Sequence, residues 1–210
     1  GSALAPDAIS LDMTYLNTGT KSWLIWSYRE NIGTELDSGS MLYIAEADEK
    51  QPWMLAGEPV LLSRPLYGWE NTEGTINNEG PYAFIKDKTV YLTYSGGAAN
   101  GYSYALGLLT ASVDADLCDL KNWKKSTTAV LSYYSVAGEH GPGHNSFFCD
   151  AEGNLMIAYH GVEAIDAHIR CTGIRRVHFD RTGRPVFDLS QEQDVNPEVS
   201  SVCMQVTIKK

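Results

Sequence analysis

Apolar and polar positions alternate with a period of two through most of the 210 residues, the pattern of strands that turn one face to a core. Strands are predicted over 22–28, 40–47, 82–85, 89–95, 104–110, 154–160, 169–180 and 199–208, with Asp12 opening an earlier one. Pro52-Trp53 and 60–62 supply an outer edge beside 40–47, and Val186-Phe187 adds a short strand near the end. Residues 115–123 (ADLCDLKNW) read as an outer connection, and 181–184 (RTGR) as a turn. Gly80-Pro81 punctuates the chain, so Glu79 is expected at the lip of a strand rather than inside one. No stretch holds the period of a long amphipathic helix. The expected class is all-β.

Three stretches repeat one another. They are 12–27 (DMTYLNTGTKSWLIWS), 79–95 (EGPYAFIKDKTVYLTYS) and 144–160 (HNSFFCDAEGNLMIAYH). Each pairs an ionisable residue and a β-like run with a turn and an apolar-aromatic strand. The closing pairs are Trp26-Ser27, Tyr94-Ser95 and Tyr159-His160, about 65 to 68 positions apart. A repeat of a few antiparallel strands is the signature of a β-propeller blade. Asp12, Glu79 and His144 lead the three units at equivalent positions, so innermost strands would aim all three at one axis.

Totals bound this picture. With 43% hydrophobic residues the chain can bury a core and form one domain over 1–210, preceded by a small-residue lead-in at 1–10. Gly1-Ser2 reads as the scar of a removed tag; no signal peptide is visible, and both a cytoplasmic and a secreted location stay open. Roughly three units fall short of the about four to eight blades of a closed ring, so blades are expected either to be missing at the N-terminus or to come from another chain. The second case predicts a homo-oligomer that covers exposed blade edges. A net charge of −10 argues against nucleic acid as a partner, and no apolar run is long enough to span a membrane as a helix. The four cysteines form no CxxC pair and are expected as buried free thiols.

Two carboxylates and a histidine at one axis suit glycoside hydrolysis, which needs a protonated acid at the leaving oxygen and a carboxylate serving water or the anomeric carbon. Glu79 is the candidate acid, its proton held by aromatic surroundings and the neighbouring Asp12. The plain alternatives are a solvated loop residue for Glu79, a backbone-bonding Asp12 and a structural His144. His144 could instead hold a cation through water or touch the sugar. Tyr67 and Trp69 lie in an aperiodic loop; Trp69 reads equally as a sugar-stacking platform and as a residue packed between blades.

The stretches NNEGPYAF, VYLTYSGG, HGPGHNSFF and LMIAYHG resemble glycoside hydrolase family 43, and TINNEGP with YALGLLT is most similar to its exo-acting α-L-arabinofuranosidases. The resemblance implies a five-bladed propeller of which this chain holds about the last three blades. It implies an inverting glycosidase acting on arabinose- or xylose-containing hemicellulose oligosaccharides, with β-xylosidase as a neighbouring activity. By position, Glu79 matches the general acid and Asp12 the aspartate that tunes it. His144 matches the axial histidine near a metal ion, usually calcium; no organic cofactor is implied. Asn78 and Arg170 join Tyr67, Trp69 and His144 as expected substrate contacts. The family's base aspartate belongs to an earlier blade and has no counterpart here. Asp37 and Asp166 are the carboxylates that an assembled ring could recruit, and a non-catalytic sugar-binding fragment is the alternative.

Overall fold

The structure, a computed structural model, describes residues 7–166, 169–189 and 203–209. β1 (Ile9–Asn17), β2 (Ser22–Arg29), β3 (Met41–Glu46) and β4 (Val60–Ser63) form an antiparallel sheet in that spatial order. β5 (Asn78–Lys86), β6 (Thr89–Gly96), β7 (Ala105–Ser112) and β8 (Lys124–Lys125) form the second. β9 (His140–Cys149), β10 (Leu155–Val162) and β11 (Arg170–Arg176) form the third, and β12 (His178–Phe179) pairs with β13 (Pro185–Val186). The fold is all-β, a partial propeller of three blades. β5 packs against β1 on one side and β9 on the other, so the first strand of each sheet is the innermost. Among the described residues no strand pairing closes the third sheet onto the first, and no helix is long and apolar enough to cross a membrane.

Strand alternation builds the core. Leu92, Tyr94 and Leu109 of the second sheet face Trp23, Ile25, Leu42 and Ile44 of the first. Leu106, one pleat over, joins Ile157, Tyr159 and Phe187 in the layer between the second and third sheets. The β5–β6 hairpin turns at Asp87-Lys88, both at positive φ (48° and 62°), as a two-residue hairpin with the native twist requires.

All three innermost strands carry a bulge at the same register position. Pairing skips between Leu11 and Thr14, between Glu79 and Tyr82, and around His144. The bulge residues are Asp12, Gly80 and His144, at φ 57°, 55° and 49°. Glu79 pairs with Ser95 as Leu11 pairs with Ser27 and Gly143 with His160. The expected equivalence of Asp12, Glu79 and His144 is therefore off by one: the partner of Asp12 and His144 is Gly80. Matching ionisable side chains misjudged a register that backbone pairing sets. The bulge N–H groups of the second and third sheets are each held by the sheet before. Gly80 N donates to Ser27 Oγ at 3.2 Å, and His144 N donates to Ser95 Oγ at 2.7 Å.

Other expectations need correction too. Glu79 is the second residue of β5 rather than outside it, and Asp12 lies within β1, which already begins at Ile9. Pro52-Trp53 lies in an exposed turn, leaving β4 alone as the outer edge. The run 169–180 breaks at Val177 into β11 and β12. Residues 203–209 are exposed and irregular rather than strand, and 199–202 lie outside the described residues. All four thiols are free, but Cys149, Cys171 and Cys203 are exposed and Cys118 is only half-buried.

Candidate active site

The bulges turn one residue of each innermost strand toward the axis, around a cavity of about 350 Å³ lined by Asp12, Thr14, Gly80, Tyr82, His144 and Asn145 among others. Asp12 Oδ2 accepts from Gly80 N at 3.2 Å and from Ser27 Oγ at 3.3 Å, while Oδ1 lies 3.6 Å from His144 Nε2. The Asp12 carboxylate thus ties the first blade to the bulge of the second, where a glycine leaves room for the His144 ring. A Cβ at residue 80 would meet the His144 ring at 3.1 Å, in a backbone region that side chains avoid.

Glu79, one pleat away, points its carboxyl elsewhere. Its Oε1 accepts from the Tyr104 hydroxyl at 2.8 Å. Tyr104 is fully buried, and burial followed by the Glu79 charge pushes its phenol well above the ordinary tyrosine value, so it stays a donor. The Tyr104 ring stacks on His160 with centroids 5.3 Å apart and planes 15° from parallel. Burial first, then the charges of Arg170 and His144, lower His160 to about 4, so its imidazole is neutral; both ring nitrogens are buried without a partner.

Four expected substrate contacts are otherwise engaged. Asn78 is fully buried: Nδ2 donates to Glu70 Oε1 at 2.9 Å, and Oδ1 accepts from Ser63 Oγ and Lys125 Nζ at 2.8 and 3.1 Å. Those bonds leave it no free face for a sugar. Trp69 tilts on Tyr94 at 5.9 Å and donates Nε1 to the Thr127 carbonyl at 3.2 Å, a packing role. Tyr67 lies under the Lys125 ammonium, 5.2 Å from its ring centroid, and gives its backbone N–H to Glu70. Arg170 is exposed and donates to Asn100 Oδ1 at 2.9 Å, bridging the start of β11 to the loop between β6 and β7.

The recruited-base candidates differ. Asp37 accepts from Arg29 Nε at 2.7 Å and Nη2 at 2.6 Å, and from the backbone N–H of Gly33 and Gly39 at 2.9 and 3.0 Å. The Arg29 hydrogen bonds hold its carboxyl far below the usual carboxylate range, which makes it a poor proton acceptor. Asp166 is exposed in the connection after β10. The chain's own donors do not fit a calcium cage. Among the described residues no three of His, Cys, Asp or Glu group around one point, and Asp12 is the one carboxylate lining the axial cavity. Calcium takes about six to eight oxygens. Asn145, with both side-chain polar atoms buried and unpartnered beside that cavity, adds at most one.

Sequence reasoning missed Tyr104, His160, Ser27, Ser95 and the buried Glu70. The signal for three of them was present, because Ser27, Ser95 and His160 end the repeated strands.

Comparison with known proteins extends the picture. Residues 3–185 match the model of Glycosyl hydrolases family 43. An extracellular exo-α-(1→5)-L-arabinofuranosidase of Streptomyces avermitilis is 32% identical over 198 residues, 90% of this chain and 40% of that protein. An α-L-arabinofuranosidase of Humicola insolens is 30% identical over 87% of this chain and 38% of its own length. The crystal structure of α-L-arabinofuranosidase from Lactobacillus brevis superposes with a TM-score of 0.75 at 34% identity, covering 85% of this chain and 55% of that one. The chain thus spans about 40% of the length of the curated relatives it matches.

Proposed function

The chain belongs to glycosyl hydrolases family 43, and on that footing we propose that it carries the acid half of an α-L-arabinofuranosidase site. One observation carries this reading: Glu79, next to the bulge of the middle innermost strand, is held by a buried tyrosine hydroxyl. In the reaction, Glu79 gives its proton to the glycosidic oxygen as the bond to the anomeric carbon breaks. Water adds to that carbon from the opposite face and loses a proton to a base, so the products are free arabinose and the shortened alcohol. Asp12 holds the Gly80 backbone and with it the turn that carries Glu79. The substrate class is terminal arabinofuranosyl groups on arabinan or arabinoxylan oligosaccharides, in line with the names of the relatives at 30 to 32% identity. The base comes from residues outside this set, and a second copy of the chain that completes the ring is the assembly under which the 210 residues turn over substrate.

A second reading, a sugar binder without turnover, is favoured by Asp37, whose ion pair removes one of the two recruitable bases. Arabinose release from an α-1,5-linked arabino-oligosaccharide by wild type and Glu79→Gln, with solution mass recorded alongside, separates the two. Release from an oligomer, lost in Glu79→Gln, supports the hydrolase. A folded monomer that binds the oligosaccharide without cleaving it supports the binder.

A further inference from the structure

Tyr104 sits where an ordinary side chain at residue 143 would be. A Cβ on Gly143 would overlap the Tyr104 ring, so the glycine of the third blade's innermost strand is the space through which a second-blade tyrosine reaches the axis. Two further contacts hold this arrangement. His160, the cross-strand partner of Gly143, stacks on the ring, and Ser95, the cross-strand partner of Glu79, accepts the His144 backbone N–H at 2.7 Å. The loop that delivers the ring is pinned as well. Gly97 N donates to the Glu70 carbonyl at 3.1 Å, Gly141 N donates to the Tyr102 carbonyl at 2.7 Å, and Ser103 Oγ bonds Glu73. A buried phenol held from so many sides offers one hydrogen in one direction. That direction is Glu79 Oε1.

We propose that Tyr104 is a positioning residue for Glu79: its hydroxyl occupies Oε1, so that Oε2 is the oxygen that carries and delivers the proton. The proposal rests on the reading of Glu79 as the general acid and deepens it. A donor on Oε1 disfavours a proton on that oxygen, because the carbonyl oxygen of a carboxylic acid accepts a hydrogen bond better than its hydroxyl oxygen does. It also fixes the carboxyl plane, and misplacement of an acid by a fraction of an ångström is costly. Gly143 is then a requirement of the acid rather than of its own strand.

The test compares two leaving groups on the 210-residue chain. An α-1,5-linked arabino-oligosaccharide needs the acid's proton, whereas 4-nitrophenyl α-L-arabinofuranoside, with its stable phenolate, needs little. Tyr104→Phe keeps the ring and removes the hydrogen. It is expected to lower kcat about 30-fold on the oligosaccharide and about threefold on the nitrophenyl glycoside, and Gly143→Ala to show the same split. Equal losses on both substrates, or none on the oligosaccharide, overturn the proposal. If wild type cleaves neither substrate, the hydrolase reading fails, and the positioning role is read separately by carbon-13 NMR of labelled glutamate. The carboxyl resonance that disappears in Glu79→Gln is expected to move in Tyr104→Phe; a resonance that stays in place overturns the proposal.

Discussion

The second and third sheets are built from the same repeat, yet they live in different surroundings. In the middle sheet β6 is buried from Val90 to Gly96, with hydrophobic layers on both faces. In the third sheet the cover is uneven among the described residues: Ile157 and Tyr159 pack inward, while on the other face Met156 is buried but Phe148 and Ile174 stand exposed at 42% and 58%. The same contrast holds for polar groups. Glu70, beside the middle sheet, is completely buried and fully partnered, whereas half-buried His160 keeps both ring nitrogens buried without a hydrogen-bond partner.

The sharpest way to break that contrast is to remove Glu70. Its Oε1 takes Lys125 at 2.6 Å and Tyr94 at 2.8 Å, and its Oε2 takes the Leu66 and Tyr67 N–H groups at 2.7 and 2.8 Å. Glu70→Ala strands a half-buried ammonium and two backbone donors, so a loss of about 3–5 kcal/mol is expected in urea unfolding. Leu106→Ala empties a fully buried site between the two sheets and is expected to cost about 2–5 kcal/mol. Ile174→Ala, on the open face, should cost about 0.5 kcal/mol or less. Comparable losses for the two would mean that the face of Ile174 is covered in solution, and would support an assembled ring.

Smaller effects sharpen the comparison. Ser95→Ala leaves the His144 N–H without its acceptor and is expected to cost about 1–3 kcal/mol, visible as a lowered urea midpoint. For His160 the sign follows from a folded value lowered from 6.5 to about 4. Between those values the unfolded chain binds a proton that the folded chain refuses, so stability rises with pH there. The contribution is complete above about pH 6.5 and is lost as pH falls toward about 4. Urea midpoints measured across this window should flatten in His160→Asn.

The strands, the all-β class and the three-fold repeat were legible because apolar alternation at period two is a local property that each segment carries for itself. Glu79 before Gly80-Pro81 and Asp12 in its repeat were legible as candidates for the same reason. What alignment by residue type could not show was the register, since a one-residue bulge changes which side chain faces the axis without changing composition. It could not show that Trp69 and Asn78 are absorbed into packing, or that Arg29 closes off Asp37, because those outcomes depend on which neighbours arrive. Tyr104 reaches Glu79 only across a glycine of another blade, a contact between residues 25 positions apart that passes over residue 143. Alternation along the chain selects the strands; burial between sheets, where three strands meet at an axis, decides which of their polar groups are left to do chemistry.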